Sequence, residues 1–595
     1  MGNIFEKFSI DLAESGGIYY TALARWVFIF LALFILLRSI YSLLRTKNPS
    51  EVWGYWHFNT DGGLTDASQD SMSIPITHWE NIIGRAKSCD IEMEDGGISR
   101  NHATLCRDHE GIWSITDLGS SNGTLVNGHR IRPWRKFEIE PGDEVQLGRV
   151  ICNLFPVSLE EHRNNLEMRK MDTMLLSPWS SLFALTVFQF MTLIQLRIAL
   201  GEIFVSSITF AFGGLCVLMW VYILAFRALH RKGFEIEFIA FFLCTLSLAV
   251  TASKYPESVF KQFIAIVIGV GLFIFMCTFM RNLDRVKAIK PFMYAAATGL
   301  LIFNLVFATV RYGAANWVEI GGFTFQPSEI VKLAFIWVGA ASLNDLLDKK
   351  NSLIFMIFSG FCFCCLAIMG DFGTAIIFFV TFLIIAFLRS GDFTKLILIV
   401  GAAFVGGLMV LKFYSYIAER FAAWGNVWEF ADSLGYQQTR TMSAAASGGL
   451  VGVGAGNGWL SDVPAADTDL VFGMLIEEWG LIVAVLAILS IITLSIFAYR
   501  SILSGRSAFY TIAACSAMAM YLFQTILNVF GSVDLFPLTG VTFPFVSNGG
   551  TSMIASWGLL AYLKAADTRQ NASIAISLSP KGIHQVSKKE RGRKR

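Results

Sequence analysis

The chain has 595 residues, of which 54% are hydrophobic and 15% charged, and its formal net charge is +2. This composition excludes an ordinary soluble protein, and the near-neutral charge balance gives no indication of nucleic-acid binding. Several apolar windows are long enough to cross a bilayer, so the chain is predicted to be a polytopic α-helical membrane protein.

The first apolar run covers residues 21–44. It is too long for the apolar region of a signal peptide and no basic region precedes it, so we expect an uncleaved membrane helix. Arg38, Arg45 and Lys47 follow at its C-terminal end. By the positive-inside rule, the N-terminus is expected outside and the following segment in the cytoplasm.

Residues 51–157 differ in character from the rest of the chain. Short alternating segments such as GIWSITDL are separated by Gly, Asn and Asp turn signals. This pattern is typical of a small all-β sandwich. A charged linker follows at residues 158–177.

Twelve further apolar segments bring the expected number of membrane helices to about thirteen. They cover residues 180–200, 203–226, 238–251, 263–279, 294–310, 329–343, 353–369, 374–388, 396–411, 470–498, 508–530 and 552–563. Basic clusters fall at alternate connections, which places the β-sandwich and the basic tail in the cytoplasm. The longer connections left outside are 254–261, 311–328, 412–469 and 531–550.

Four sequence motifs occur in order within the β-rich region: IIGRAKSCDI, ISRNHATL, DLGSSNGTLVNG and PGDEVQLG. Together they resemble the forkhead-associated (FHA) domain, a β-sandwich that recognises phosphothreonine. The resemblance implies that Arg85 and Ser99 contact the phosphate with help from Arg100, that Ser121 holds the threonine, and that Asn122 binds the peptide main chain. Guanidinium groups suit this task because they form paired hydrogen bonds with phosphate. His102 is expected to be a buried residue that braces the loops.

Histidine is absent between Arg231 and Ile583, so acid or base chemistry in the membrane region requires Asp, Glu, Lys or Tyr. Four carboxylates lie at or within the apolar run that begins near residue 470, where a charge is costly. They are Asp467, Asp469, Glu477 and Glu478. The two glutamates fit helix-to-helix hydrogen bonding as well as a chemical role.

Other polar residues fall on the outer side of the predicted membrane region. Glu329 and Lys332 are three residues apart near the start of a helix that begins at Pro327 or Ser328, so they are able to pair. Asp371 is interpreted as a helix N-cap or structural hydrogen-bond acceptor in preference to the alternative role of a reactant. Arg440 lies in a glycine-rich outer segment.

The membrane region resembles the SEDS family (shape, elongation, division and sporulation; FtsW, RodA and SpoVE). The motifs that carry the resemblance are KQ (Lys261 and Gln262), FQPSE, DFGTA, SGGLVGVGAGNG, TDLVFGMLIEEWG and PFVSNGG. The resemblance implies a ten-helix core and a glycosyltransferase that polymerises lipid II into peptidoglycan strands. It also implies a class B penicillin-binding transpeptidase as partner, and the FHA resemblance implies a threonine-phosphorylated cytoplasmic protein.

By this resemblance Asp469 is the catalytic base. Lys332 and Arg440 are candidates to bind the pyrophosphate leaving group, with Glu329 orienting Lys332; a divalent cation, Mg²⁺ or Mn²⁺, is another candidate. Asp467 stands where many family members have His, and we place it among the substrate-binding residues. Its charge is expected to raise the pKa of one of the two aspartates unless a cation lies between them.

The sequence therefore predicts an enzyme of the bacterial cytoplasmic membrane. Two other functions are left open: a catalytically weak scaffold that recruits phosphoproteins and wall enzymes, and a lipid-substrate transporter. The predicted regions are an N-terminal helix with flanks (1–50), the FHA domain (51–157), the linker (158–177), two extra helices (178–232), the core (233–567) and the basic tail (568–595).

Overall fold

The computed structural model describes residues 2–45, 52–59, 71–87, 89–107, 111–157, 164, 176–311, 314–320, 323–341, 349–390, 393–413, 415–503, 507–569 and 572. Most of the predicted linker at 158–177 and most of the predicted tail at 568–595 lie outside these residues.

The β-rich region forms a sandwich of two sheets around a buried core that includes Trp56, Ile83, Leu105, Ile115 and Val145. Its strands are β1 (Gly54–Asn59), β2 (Ser71–Ile76), β3 (Glu80–Gly84), β4 (Ile91–Glu92), β5 (Ala103–Arg107), β6 (Trp113–Asp117), β7 (Thr124–Val126), β8 (His129–Arg130), β9 (Lys136–Ile139), β10 (Glu144–Leu147) and β11 (Val150–Pro156). One sheet has the order β2-β1-β11-β10-β7-β8 and the other β4-β3-β5-β6-β9. The predicted all-β sandwich is confirmed.

The helices are α1 (Gly2–Arg45), α2 (Trp179–Leu200), α3 (Ser206–Ala228), α4 (Glu235–Lys254), α5 (Val259–Phe279), α6 (Leu283–Ala288), α7 (Lys290–Phe307), α8 (Pro327–Ala341), α9 (Lys349–Ile368), α10 (Phe372–Ser390), α11 (Phe393–Phe413), α12 (Ser415–Ala423), α13 (Tyr436–Gly448), α14 (Val471–Leu503), α15 (Ala508–Ser532) and α16 (Gly550–Ala566). A small hairpin sheet, β12 (Thr309–Arg311), β13 (Ala314–Ile320) and β14 (Phe323–Phe325), lies between α7 and α8.

Each of the thirteen predicted apolar segments overlaps one of these helices. Among the described residues, eight helices are long and apolar enough to cross a membrane, and three shorter apolar helices accompany them. The structure therefore agrees with a polytopic membrane protein, while the count of thirteen spans stays a prediction.

Helix α14 is interrupted at Gly480, whose φ of 87° lies in the left-handed region. The sequence had predicted one continuous span here. A loop preceding α14 supplies the reason, because Leu481 N–H donates to the carbonyl of Gly449 instead of to its own helix. Any side chain at position 480 would meet the carbonyl oxygen of Leu450.

Helix α15 connects the two ends of the helical bundle. Ser507 caps its N-terminus by accepting a hydrogen bond from Phe509 N–H. Near its other end, Asn528 donates to the carbonyl of Asp469 at 3.0 Å. Twenty-one residues of helix separate these positions by about 32 Å, roughly one bilayer core.

The β-sandwich contacts the bundle at the Ser507 end. The carboxylate of Glu80, on the first residue of β3, accepts from the Ser507 hydroxyl at 2.6 Å and pairs with Lys287 at 3.2 Å. Since Asp469 lies at the opposite end of α15, the sandwich and Asp469 lie at opposite ends of the bundle.

Candidate active site and phosphopeptide-binding loops

Asp469 lies in a turn between a short 3₁₀ segment (Leu460–Asp462) and the start of α14. Ala465 adopts a positive φ of 59°, and the N–H of Asp469 donates back to its carbonyl at 3.0 Å. Asn528 and Ser547 donate to the carbonyls of Asp469 and Thr468, at 3.0 and 2.7 Å. The main chain is thus fixed from two neighbouring elements while the Asp469 side chain stays partly exposed.

The pKa of Asp469 is raised to about 6, chiefly because burial disfavours the charged carboxylate. The guanidinium of Arg420 and the hydroxyl of Thr468 oppose this rise, while the charges of Asp467 and Asp371 add to it. A carboxyl group with this pKa is ionised at neutral pH and remains basic enough to accept a proton.

Asp467 is buried, and burial raises its pKa. The side-chain amide of Asn548 donates to it at 2.7 Å, and this bond and the charge of Lys254 oppose the rise. The expected like-charge effect therefore acts on Asp469, where the charge of Arg420 opposes it, while Lys254 opposes the rise in the pKa of Asp467.

Asp371 precedes α10 and accepts a hydrogen bond from Thr374 N–H at 3.1 Å, as an N-cap does. Its second oxygen accepts from the amides of Asn316 and Gln326, at 3.0 and 3.4 Å. Gln326 immediately precedes α8. Asp371 in turn lies near enough to Asp469 for its charge to raise the pKa of that group. Three segments predicted to lie outside therefore meet around the two aspartates: 311–328, 412–469 and 531–550.

Helix α8 begins at Pro327, as predicted, and Glu329 pairs with Lys332 at 2.7 Å. Both side chains are buried. Since a lone buried charge is strongly disfavoured, each makes the other tolerable. Pairing is what the three-residue spacing predicted, whereas a contact of Lys332 with substrate stays a prediction.

Arg440, on α13, is exposed, and its guanidinium lies 5.2 Å from the centre of the Tyr436 ring. It is not among the charged groups that shift the pKa of Asp469. Arg420 is the cation that does so, and it donates to the carbonyl of Leu538 at 2.6 Å. Sequence reasoning missed Arg420 because it lies in the long segment 412–469, predicted to lie outside, and in no recognisable motif.

Glu477 and Glu478 have specific structural contacts. The two carboxylate oxygens of Glu477 accept from the main-chain N–H groups of Trp459 and Leu460, each at 3.0 Å. Glu478 accepts from the hydroxyl of Ser253 at 2.9 Å. Of the two roles left open, the structure favours hydrogen bonding between segments.

A metal site was left open by the sequence. Across the part of the chain that the structure describes, no group of three or more His, Cys, Asp or Glu side chains is placed to hold a metal ion. A divalent cation therefore stays a prediction.

The five residues expected to bind phosphopeptide lie on three adjacent loops. Ser121 N–H donates to the Ser99 hydroxyl at 3.0 Å, and the Asn122 amide donates to the carbonyl of Gly97 at 2.7 Å. Arg85 N–H donates to the carbonyl of Ser99 at 3.0 Å. Arg85, Arg100, Ser121 and Asn122 are exposed. The structure thus brings two exposed arginines and two serines together on adjacent loops.

His102 is fully buried beneath these loops. Its Nδ1 accepts from Ser99 N–H at 3.1 Å, and its Nε2 lies 3.2 Å from the carbonyl oxygen of Gly123. These contacts require the neutral ring, with the proton on Nε2. Burial lowers the pKa of His102 in the same direction. The predicted bracing role is confirmed.

Comparison with known proteins identifies both parts of the chain. The profile of the FtsW/RodA/SpoVE family, described as a cell cycle protein, matches residues 224–572, which is more than half of the chain. The chain belongs to this family. The profile of the FHA domain matches residues 81–148. The match to the FtsW/RodA/SpoVE profile begins within α3, so α1 and α2 lie outside it.

Curated relatives of this FtsW/RodA/SpoVE protein include two from bacteria named "Probable peptidoglycan glycosyltransferase FtsW". That of Escherichia coli O6:H1 is 30% identical, over 43% of this chain and 64% of its own. That of Borreliella burgdorferi is 31% identical, over 42% of this chain and 70% of its own. The chain thus matches just under two thirds of the length of the Escherichia coli relative.

Among solved structures, a chain from a peptidoglycan synthase complex is 22% identical. The match covers 56% of this chain and 96% of that one, with a TM-score of 0.47. With its family membership and apolar helices, the chain is a multi-pass membrane protein.

Proposed function

We propose that this protein is a membrane glycosyltransferase that polymerises lipid II into peptidoglycan strands. The observation that carries the proposal is Asp469, a partly exposed carboxyl group with a pKa raised to about 6, held at one end of the helical bundle. Family membership and the names of the curated relatives support the same activity.

In the proposed reaction, Asp469 accepts the proton of a sugar 4-hydroxyl. The hydroxyl oxygen then forms a bond to the anomeric carbon of a second, lipid-linked glycan. The bond from that carbon to the pyrophosphate oxygen breaks, and the lipid pyrophosphate leaves with the electron pair. A positioned base of this kind typically accelerates a reaction by about 10²- to 10⁴-fold.

The leaving group carries negative charge that needs cationic or hydrogen-bonding groups. Arg420 joins Lys332 and Arg440 as a candidate, because it is the cation that acts most strongly on Asp469. Its position suits an electrostatic role at the reacting centre. Glu329 orients Lys332 through their ion pair.

The FHA domain is proposed to bind a threonine-phosphorylated protein in the cytoplasm. The exposed guanidinium groups of Arg85 and Arg100 beside the hydroxyls of Ser99 and Ser121 support this role. Charge-assisted hydrogen bonds from such groups suit a phosphate. Asn122 is proposed to bind the peptide main chain.

The proposed orientation places Asp469 outside and the FHA domain inside. It is supported by the separation of the two along α15 and by the basic residues near the sandwich, including Lys287 and Arg281. A class B penicillin-binding transpeptidase is the proposed outer partner, since the glycan strands made here require crosslinking.

The test is polymerisation of labelled lipid II by the purified full-length protein, alone and with its transpeptidase. Wild type is expected to yield polymer and Asp469→Asn none above background. A variant of equal expression, Asp462→Asn, serves as control because Asp462 is an exposed carboxylate on the same segment. If wild type forms no polymer under any partner or metal condition, the enzyme proposal fails and the scaffold function becomes the better one.

A further inference from the structure

Helices α1 and α2 lie outside residues 224–572, the region that matches the family profile and is here called the family core. Both helices nevertheless pack against this core. Helix α1 contacts α4 and α14, and α2 contacts α4. Specific hydrogen bonds hold them in place: Tyr20 donates to the carbonyl of Met191 at 2.8 Å, and Gln189 donates to Thr245 at 3.2 Å. The added helices are thus fixed parts of the bundle.

The segment they meet is the loop at residues 449–458, here called the glycine loop. It docks into the break of α14, where the N–H groups of Val453 and Gly454 donate to the carbonyls of Glu477 and Glu478 at 2.8 and 2.9 Å. Positive φ angles at Gly449, Gly452, Gly454 and Gly456 give the loop this course. Glycine adopts such angles without strain.

Helices α1 and α2 cover the side of the glycine loop that faces away from α14. Arg25 on α1 donates through Nη2 to the carbonyl of Val453 at 2.8 Å. A Cβ at Gly454 would lie 2.7 Å from a methyl carbon of Thr21 and 3.0 Å from the amide nitrogen of Gln195. The loop therefore lies between the family core on one side and the added helices on the other.

A small cavity of about 10 Å³ marks this junction, lined by Arg25, Gln195, Gly454 and Glu478 among others. Three buried polar atoms there have no hydrogen-bond partner among the described residues: Arg25 Nε and both amide atoms of Gln195. Burying polar groups in an apolar junction is costly, and the hydrogen bond from Arg25 Nη2 to Val453 offsets part of that cost.

The glycine loop continues directly toward Asp469. After Gly458, Glu477 holds the N–H groups of Trp459 and Leu460. Lys254 then donates to the carbonyls of Ser461 and Val463, each at 2.6 Å. The turn that carries Asp469 follows, so displacement of the loop would displace the base.

We propose that Arg25, through its hydrogen bond to Val453, and Gln195, through its packing against Gly454, are positioning residues that fix the glycine loop and through it the turn bearing Asp469. Their role in catalytic rate rests on the proposed glycosyl transfer. Their role in holding the loop is independent of that proposed function. Hydrogen exchange measures the hold on the loop, and lipid II polymerisation measures the effect on the rate.

The first measurement is hydrogen exchange of the full-length protein in lipid nanodiscs. Arg25→Ala is expected to raise amide exchange at residues 453–460 by about tenfold, the factor expected from loss of one charge-assisted hydrogen bond. Arg38→Ala is the matched control, since Arg38 on the same helix donates to the carbonyl of Ser177 instead. Unchanged exchange in Arg25→Ala would overturn the proposal.

The second measurement is lipid II polymerisation. Arg25→Ala is expected to lower kcat about tenfold with little change in KM, because a displaced base affects the chemical step. Arg25→Lys should restore part of the rate, since an ammonium is able to donate to the same carbonyl. If wild type is active and Arg25→Ala equals it, the positioning role fails; if wild type is inactive, the proposed function fails and the exchange result still decides the loop contact.

If Arg25→Ala does not accumulate in the membrane, Gly454→Ala tests the contact between the glycine loop and helices α1 and α2 with a change in the loop itself. The added methyl group would crowd Thr21 and Gln195 and strain a residue with a φ of 104°. The same rise in exchange at residues 453–460 is expected, and its absence counts against the proposal.

Discussion

Asn548 holds Asp467 twice: its side-chain amide donates to the carboxylate at 2.7 Å, and its main-chain N–H donates to the carbonyl at 2.8 Å. This double contact joins the loop before α16 to the turn that bears Asp469. It keeps the Asp467 charge near Asp469, where it raises the pKa of the proposed base.

Removing that charge should lower the pKa of Asp469. In Asp467→Asn, the acidic limb of the rate profile for lipid II polymerisation is expected to shift to lower pH, because the base stays ionised further into acid. The measurement is the initial rate from pH 5 to pH 8. Asp462→Asn should keep the wild-type profile, and an unchanged profile in Asp467→Asn would contradict the coupling.

The wild-type rate should itself depend on pH. A base must be unprotonated to act, and the pKa of Asp469 is about 6, so the rate is expected to be constant above about pH 7 and to fall about tenfold per pH unit well below 6. The sign for stability is opposite: a raised carboxyl pKa means that protonation favours the folded state, so acid inactivation in this range should be reversible. Irreversible loss at pH 5 would point to unfolding instead.

Phosphopeptide binding should depend on Arg85. Arg85→Ala is expected to weaken binding of a phosphothreonine peptide by about 10- to 100-fold, the loss expected for one charged hydrogen-bonding group. Calorimetry with the full-length protein gives the affinity. Arg132→Ala, an exposed arginine outside the three loops, is the control. Equal binding by Arg85→Ala and wild type would remove Arg85 from the phosphate site.

The break in α14 should be sensitive to side-chain addition. Gly480→Ala is expected to lower the free energy of unfolding by about 1–3 kcal/mol. The reason is that the alanine side chain would strain a positive φ and crowd the carbonyl oxygen of Leu450. Thermal unfolding in detergent gives the comparison. Gly271→Ala is the matched helical control, since no atom lies near its added Cβ. That variant should be neutral or slightly more stable, because alanine favours helix more than glycine.

The contact between the sandwich and the bundle should depend on Glu80. Glu80→Ala removes the acceptor for Ser507 and the partner of Lys287, so hydrogen exchange at residues 283–289 and 507–512 is expected to rise. Glu138→Ala changes an exposed carboxylate of the same sandwich and should leave both segments unchanged. Protection retained in Glu80→Ala would show that other contacts hold the two parts together.

Much of the fold could be predicted because the patterns are local. Alternation and turn residues specified the sandwich, and apolar length specified the helices. The position of His102 between the loops and the pairing of Glu329 with Lys332 also followed from short-range patterns and family resemblance.

The remaining features depend on contacts between distant segments. The break at Gly480 arises because residues 449–454 insert beside α14, and apolar length alone gives one continuous helix there. Arg420 acts on Asp469 from a separate helix, α12, so no spacing rule connects them. Glu477 accepts hydrogen bonds from the main-chain N–H groups of Trp459 and Leu460, which precede it by seventeen residues or more.

Strand β3 begins at Glu80, against the bundle, and leads about 17 Å to Arg85 at the phosphopeptide loops. Attachment to the helical bundle and the proposed binding of a phosphorylated protein thus use different ends of the sandwich and do not compete. Under the proposed orientation, the length of β3 would set the distance between a bound phosphorylated protein and the helical bundle. Under the proposed function, binding of a phosphorylated protein at the Arg85 end would link the site of glycan synthesis to the position of that protein.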